Sequence, residues 1–215
     1  MRMWGAGVSG SDIGRVFGIS RQRVSQIIQS WQGGGHHSDP ALSLEMLALT
    51  LPRRLASLPG MPSEVTTLTQ IAPHLLNGEV LSAYITAKEA HTGQHRQFTS
   101  EKYIHHPVRV AYGVSRCEGV SSHTIAAALL HDVVEDTHVT EEELRAIPAL
   151  SDIAVDIVMV LTRPEGETYP EFIERVLKHP EASIVKRQDI LDNLATLPPG
   201  HPLSKRYIAA LTVLS

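Results

Sequence analysis

Apolar residues in this chain recur at intervals of three and four. Ile13, Val16 and Phe17 form one such face, Gly18 interrupts it, and Val24, Ile27 and Ile28 repeat it. From Val80 onward the same period marks successive segments at about 80–93, 104–117, 122–134, 140–146, 151–162, 168–178, 181–196 and 202–213. Alternating period-two patterns are nearly absent, so the chain predicts an all-α fold with short connections. Between the two regions, GGGHHSDP (33–40) has the composition of a flexible linker. Residues 41–79 mix leucine-rich patches with Pro52, Pro59, Pro62 and Pro73, which predicts short helices broken by turns. The expected division is therefore 1–32, 33–79 and 80–215, the last being the main domain.

Charge sharpens this division. The formal net charge is −4, which does not suggest a nucleic-acid binder overall. Yet residues 1–32 carry Arg2, Arg15, Arg21 and Arg23 against Asp12 alone. In SGSDIGRVFGISRQRVSQIIQ (9–29), two short helices meet at a glycine-containing turn, and Ser20 can cap the second. That helix presents Arg21, Gln22, Arg23 and Gln26, side-chain types that reach phosphates and base edges in a major groove. The segment resembles the helix-turn-helix of sigma-factor and resolvase-like DNA-binding domains. DNA is accordingly a candidate partner; the alternative is a helical remnant that packs on the body or drives self-association into a homo-oligomer. No apolar run reaches membrane-spanning length and the N-terminus lacks a signal-peptide core. With Cys117 as the one cysteine, a cytoplasmic protein without membrane contact is expected.

One stretch breaks the hydrophobic pattern. AAALLHDVVEDT (126–137) reads as a buried helix, yet carries His131, Asp132, Glu135 and Asp136. Burying such groups is costly unless they are paired, hydrogen-bonded or bound to a metal. Negative charge at a helix C-terminus also opposes the macrodipole, which favours a bound cation. A metal needs more ligands than the His131–Asp132 pair supplies. The candidates are His105 and His106 upstream, and Asp189 and Asp192 downstream.

HDVVEDT, with TIAAALL before it and THVTEEEL after it, resembles the HD-domain metal-dependent phosphohydrolases. Within them the chain is most similar to the hydrolase domain of Rel/SpoT-type alarmone enzymes and their small relatives. Two further motifs carry the likeness: AHTGQHRQFTSEKYIHHPVRVA (90–111) and VKRQDILDNLATL (185–197). The resemblance implies an HD-type helical bundle with His106, His131, Asp132 and Asp189 as metal ligands. Two imidazoles and two carboxylates suit a borderline divalent ion, and the resemblance implies manganese (Mn2+). It gives Glu135 and Asp136 the attacking water to orient and deprotonate. It makes Arg96, Lys186 and Asn193 substrate contacts, with Arg163 and Tyr169 near the mouth of the site. Arg96 could equally be a surface arginine, and Lys186 a partner for a ligand carboxylate.

The activity so implied is hydrolysis of the 3′-diphosphate of (p)ppGpp, giving GDP or GTP and pyrophosphate. Three departures qualify it. The loop after Arg96, QFTSEK, is one residue longer than the family's usual glycine-containing loop. Asp192 stands where a histidine is common. Residues 198–215 leave no room for a synthetase domain, so the chain is expected to hydrolyse only. The altered loop keeps open another nucleotide substrate, such as a nucleoside monophosphate, a cyclic nucleotide or NADPH. A DNA-binding regulator with a nucleotide-sensing HD domain is the reading of a different class.

Overall fold

The computed structural model describes residues 71–214, and the helix-turn-helix expected at 9–29 lies outside the described residues. By its internal contacts the chain divides into two compact units, Met1–Leu81 and Ser82–Ser215. The described part of the first unit is a 3-10 turn, His74–Leu76, followed by the start of helix α1 (Gly78–Ala90). Asn77 caps that start, its Oδ1 accepting from Glu79 N at 2.9 Å.

The second unit continues with α2 (His105–Ser115), α3 (Ser122–Leu130), α4 (Val133–Asp136), α5 (Glu141–Arg145), α6 (Asp152–Leu161), α7 (Tyr169–Leu177), α8 (Pro180–Thr196) and α9 (Leu203–Val213). Among the described residues there is no strand, and one isolated antiparallel bridge joins His95 to Lys102. The all-α expectation holds for this region. None of the described helices is long and apolar enough to cross a membrane.

The helix starts follow from local chemistry. Ser121 and Ser151 cap α3 and α6 by accepting from Thr124 N and Ala154 N. Thr140 and Glu143 form a reciprocal capping box on α5. Pro107 lies in the first turn of α2 and Pro180 opens α8, places where a missing N–H removes no helical bond.

Helix α3 is the centre of the bundle. It packs against α2, α6 and α8, while α8 also crosses α2 and α7. Every residue of α3 from Ile125 to Leu130 is buried, so an alanine-rich helix is needed to let three neighbours approach. At the α2–α8 crossing, Gly113 faces the Gln188 side chain, and a methyl group there would collide with it. The chemistry-bearing ends of α2, α3 and the middle of α8 therefore converge on one side of a buried apolar core.

Candidate active site

The sequence predicts one helix over 122–134, with its acids at the C-terminal end. Instead α3 stops at Leu130 and a separate turn, α4, begins at Val133. Asp132 lies in the bridge region (φ −101°, ψ −4°), and the His131 ring bonds the Ala128 carbonyl through Nδ1 at 2.9 Å. In an unbroken helix, neighbouring side chains diverge by about 100°. Here His131 Nε2 lies 3.1 Å from Asp132 Oδ2.

Helices α2 and α8 complete the cluster. His106 Nε2 lies 3.2 Å from Asp189 Oδ1 and 3.4 Å from Asp132 Oδ2. Asp189 Oδ1 is also 3.7 Å from His131 Nε2. Both imidazoles are at most 2 % exposed, yet neither Nε2 has a hydrogen-bond partner of acceptable geometry among the described residues. Leaving such an atom unsatisfied costs roughly 1–3 kcal/mol. Oxygens of Asp132 and Asp189 crowd these nitrogens at 3.1–3.7 Å without completing such a bond, a pattern that suits ligands around an ion. His106, His131 and Asp132 each offer a ligand atom, all within 4.8 Å of one another. The donor set fits a divalent cation.

The electrostatics agree with an anionic cage. Burial would lower both histidines, but Asp132, Asp189 and Asp192 outweigh it at His106, raising it to about 9. Asp132 and Asp189 likewise carry His131 up to about 10. Burial would also raise the two carboxyls. His131 and His106 nevertheless hold Asp132 well below the usual range, and Lys186 does the same for Asp189. On α8 the expected shared face is present: Lys186 Nζ donates to Asp189 Oδ2 at 2.7 Å, and Asn193 Nδ2 donates to Oδ1 at 2.5 Å.

Glu135 and Asp136 stand beside the cluster, open to solvent on the cavity side. Desolvation by the cavity wall raises both carboxyls, and at Asp136 the charge of Asp132 adds to the effect. Glu135 Oε2 accepts from Arg163 N at 3.4 Å. Asp136 is braced by residues of the first motif. Gln94 donates to its carbonyl at 3.0 Å and also bonds His91 Nδ1 at 2.7 Å. His91 stacks on Tyr103 at 4.6 Å, and the Tyr103 hydroxyl lies 2.7 Å from Asp132 Oδ2 and 3.0 Å from Asp136 Oδ2.

A cavity of about 380 Å³ opens over this floor. Arg96, His106, Asp132, Glu135, Asp136, Arg163, Tyr169, Lys186, Asp189 and Asn193 line it, with His131 behind them. Arg96 is not a free surface arginine: its Nη2 donates to Asn193 Oδ1 at 2.6 Å and Thr196 Oγ1 at 3.2 Å. Lys186 does pair with Asp189, so it is both wall and support. Arg163 holds the Glu167 carbonyl through Nη1 at 2.8 Å, while Tyr169 has a buried, unpartnered hydroxyl. The four DNA-directed residues, Arg21, Gln22, Arg23 and Gln26, lie outside the described residues.

Several wall residues were not anticipated. Tyr103 sits three residues before His106, a spacing that could have flagged it. Phe98, Arg206 and Tyr207 carried no such signal. The Arg206 guanidinium lies 4.5 Å from the Tyr169 ring centre, and Phe98 packs edge-on to His201 at 5.1 Å.

Comparison with known proteins gives the class first. Residues 83–187 match the family model described as HD domain. HD domains depend on divalent metals, in keeping with the cluster at His106, His131 and Asp132. Among curated proteins, the chain is 36% identical over 125 residues to guanosine-3′,5′-bis(diphosphate) 3′-pyrophosphohydrolase of Aquifex aeolicus, covering 55% of this chain and 18% of that protein. It is 34% identical over 140 residues to the protein of the same name from Vibrio cholerae, covering 61% and 20%. It is 30% identical over 141 residues to the bifunctional (p)ppGpp synthase/hydrolase SpoT of Escherichia coli, covering 61% and 20%. The matched segment thus spans about a fifth of these relatives' length. A solved structure described as a metazoan ortholog of SpoT that hydrolyzes ppGpp shares the fold. Its TM-score is 0.52 at 22% identity, over 63% of this chain and 83% of the other.

Proposed function

We propose that this chain is a metal-dependent (p)ppGpp 3′-pyrophosphohydrolase. The observation that carries the reading is the pair of buried, unpartnered Nε2 atoms of His106 and His131 facing Asp132 and Asp189, at the floor of a cavity rimmed by cations. His106, His131, Asp132 and Asp189 would hold the ion, with manganese as our inferred choice. A bound divalent ion supplies Lewis acidity toward phosphoryl oxygens and makes water a nucleophile near neutral pH. Glu135 and Asp136 would orient the attacking water and accept its proton. The water oxygen would bond to the phosphorus attached to the ribose 3′ oxygen, that P–O bond would break, the 3′ oxygen would take up a proton, and pyrophosphate would leave GDP or GTP behind. Lys186, Arg96 and Arg163 offset phosphoryl charge as it develops. Tyr169 and Asn193 contact the nucleotide.

Purified protein with Mn2+ and ppGpp should release pyrophosphate, and an Asp132→Ala variant should not. Wild-type protein that binds Mn2+ yet leaves ppGpp intact would sink the substrate assignment. A second reading, hydrolysis of another nucleotide, is favoured by the lengthened loop that places Phe98, 40 % exposed, at the cavity wall. A panel of nucleoside monophosphates, cyclic nucleotides and NADPH under identical conditions separates the two.

A further inference from the structure

Asp192, the aspartate standing where a histidine is common in the family, is no loose surface acid. Its Oδ2 lies 2.7 Å from His106 Nδ1, on the ring edge opposite the cluster-facing Nε2. Arg109 clasps the same carboxylate, with Nε 2.5 Å from Oδ1 and Nη2 3.0 Å from Oδ2. The rest of that guanidinium grips Glu101 in a two-point pair, Nη1 at 3.0 Å and Nη2 at 2.7 Å. Glu101 also belongs to the loop after Arg96, where its carbonyl accepts from Arg96 N at 2.8 Å.

We propose that Asp192 is a positioning residue for the metal centre, fixing His106 with Nδ1 protonated so that Nε2 faces the ion, and that Arg109 and Glu101 extend this hold to the Arg96 loop. The inference rests on the reading of His106 as a ligand. An ionised carboxylate only accepts, and Arg109 only donates, so the proton between His106 and Asp192 belongs to Nδ1. Carboxylate support of this kind locks a ligand's ring orientation and strengthens its donor nitrogen. A neutral histidine at 192 has one acceptor nitrogen and could not serve His106 and both Arg109 donors, Nε and Nη2, together. The aspartate and Arg109 therefore act as a pair. Through them, the loop that carries a nucleotide contact is anchored to the residue that holds the metal.

The test is Mn2+ titration of the wild type, Asp192→Asn, Asp192→Ala and Glu101→Gln, with free Mn2+ read by electron paramagnetic resonance. Thermal unfolding in chelator checks that each variant folds. Removing the support should raise the Mn2+ Kd about 10- to 100-fold in Asp192→Ala and less in Asp192→Asn, whose amide oxygen can still accept. Glu101→Gln should leave the Kd within about threefold of wild type, an indirect contact away from the ligand, while amide exchange across 96–102 speeds up. In zinc-loaded wild type, nitrogen-15 spectra should show the His106 proton on Nδ1. Folded Asp192→Ala with wild-type Mn2+ affinity, or a His106 proton on Nε2, would overturn this inference alone. Wild-type protein that binds no Mn2+ would remove both it and the metal reading beneath it.

Discussion

The floor and the rim of the cavity are built differently. On the floor, His106, His131 and Asp189 are almost wholly buried, and each is held by a hydrogen bond: His106 by Asp192 across the α2–α8 crossing, His131 by the Ala128 carbonyl, Asp189 by Lys186 and Asn193 of its own helix. At the rim, Phe98, Arg163 and Arg206 are exposed, and their contacts are ring packing or a single backbone carbonyl. Buried polar atoms must be satisfied, so few arrangements of the floor survive. Exposed side chains carry no such demand. On the proposed function, the floor would fix the kind of reaction and the rim would select what is brought to it.

This contrast can be broken most sharply at the floor. Asp132→Ala should abolish Mn2+ binding and reduce turnover to background, as measured by pyrophosphate release alongside metal titration. Glu135→Gln should retain metal but lower kcat by about 10²- to 10⁴-fold, the range for loss of a general base. Glu135 also predicts a pH dependence. Its carboxyl is raised above the ordinary value of 4.5, and as the proposed base it would act only when ionised. At saturating Mn2+, kcat/KM should therefore fall as pH drops through that raised value, and Glu135→Gln should lack this step.

Moving outward, Arg96→Ala removes a cation between floor and rim. A charged hydrogen bond is worth about 1.5–3 kcal/mol, so KM should rise roughly 10- to 100-fold, read from initial rates. Phe98→Ala and Arg206→Ala should change KM by only about three- to tenfold, through one lost stacking or cation contact each. Their effects should differ between nucleotides, whereas floor variants should fail on all of them. A rim variant that eliminates turnover of every nucleotide would erase the distinction. Smallest of all, Thr140→Ala removes the α5 cap away from the cavity. It should lower stability by about 1 kcal/mol in thermal or urea unfolding and leave kcat unchanged.

The same division governs what the sequence disclosed. Helix spans were legible to within about three residues at most ends, because burial imposes a period on the residues that face the core. The α8 face of Lys186, Asp189 and Asn193 was readable from the family resemblance, which picked out the residues, and from their i, i+3, i+7 spacing. The break at 131–132 was not, since Leu129, Leu130 and Val133 continue the apolar pattern straight across it. The His106–Asp192 bond spans 86 positions and depends on how two helices cross, which no local pattern records. Phe98 and Arg206 escaped notice because exposed positions carry no periodic signal. Tyr103 lies in a recognised motif, yet its bridge between Asp132 and Asp136 became visible only with the turn that places both acids.

That same break sets local robustness against chemical use. A continuous helix from Ser122 to Asp136 would keep every backbone bond in register and suit the alanine- and leucine-rich sequence well. The chain instead interrupts its helical ladder at His131 and Asp132, two residues proposed to hold the ion. On that reading, substitutions that ran α3 straight through this junction would gain helical bonds and disturb two ligands at once, so durability and turnover would pull the chain in opposite directions.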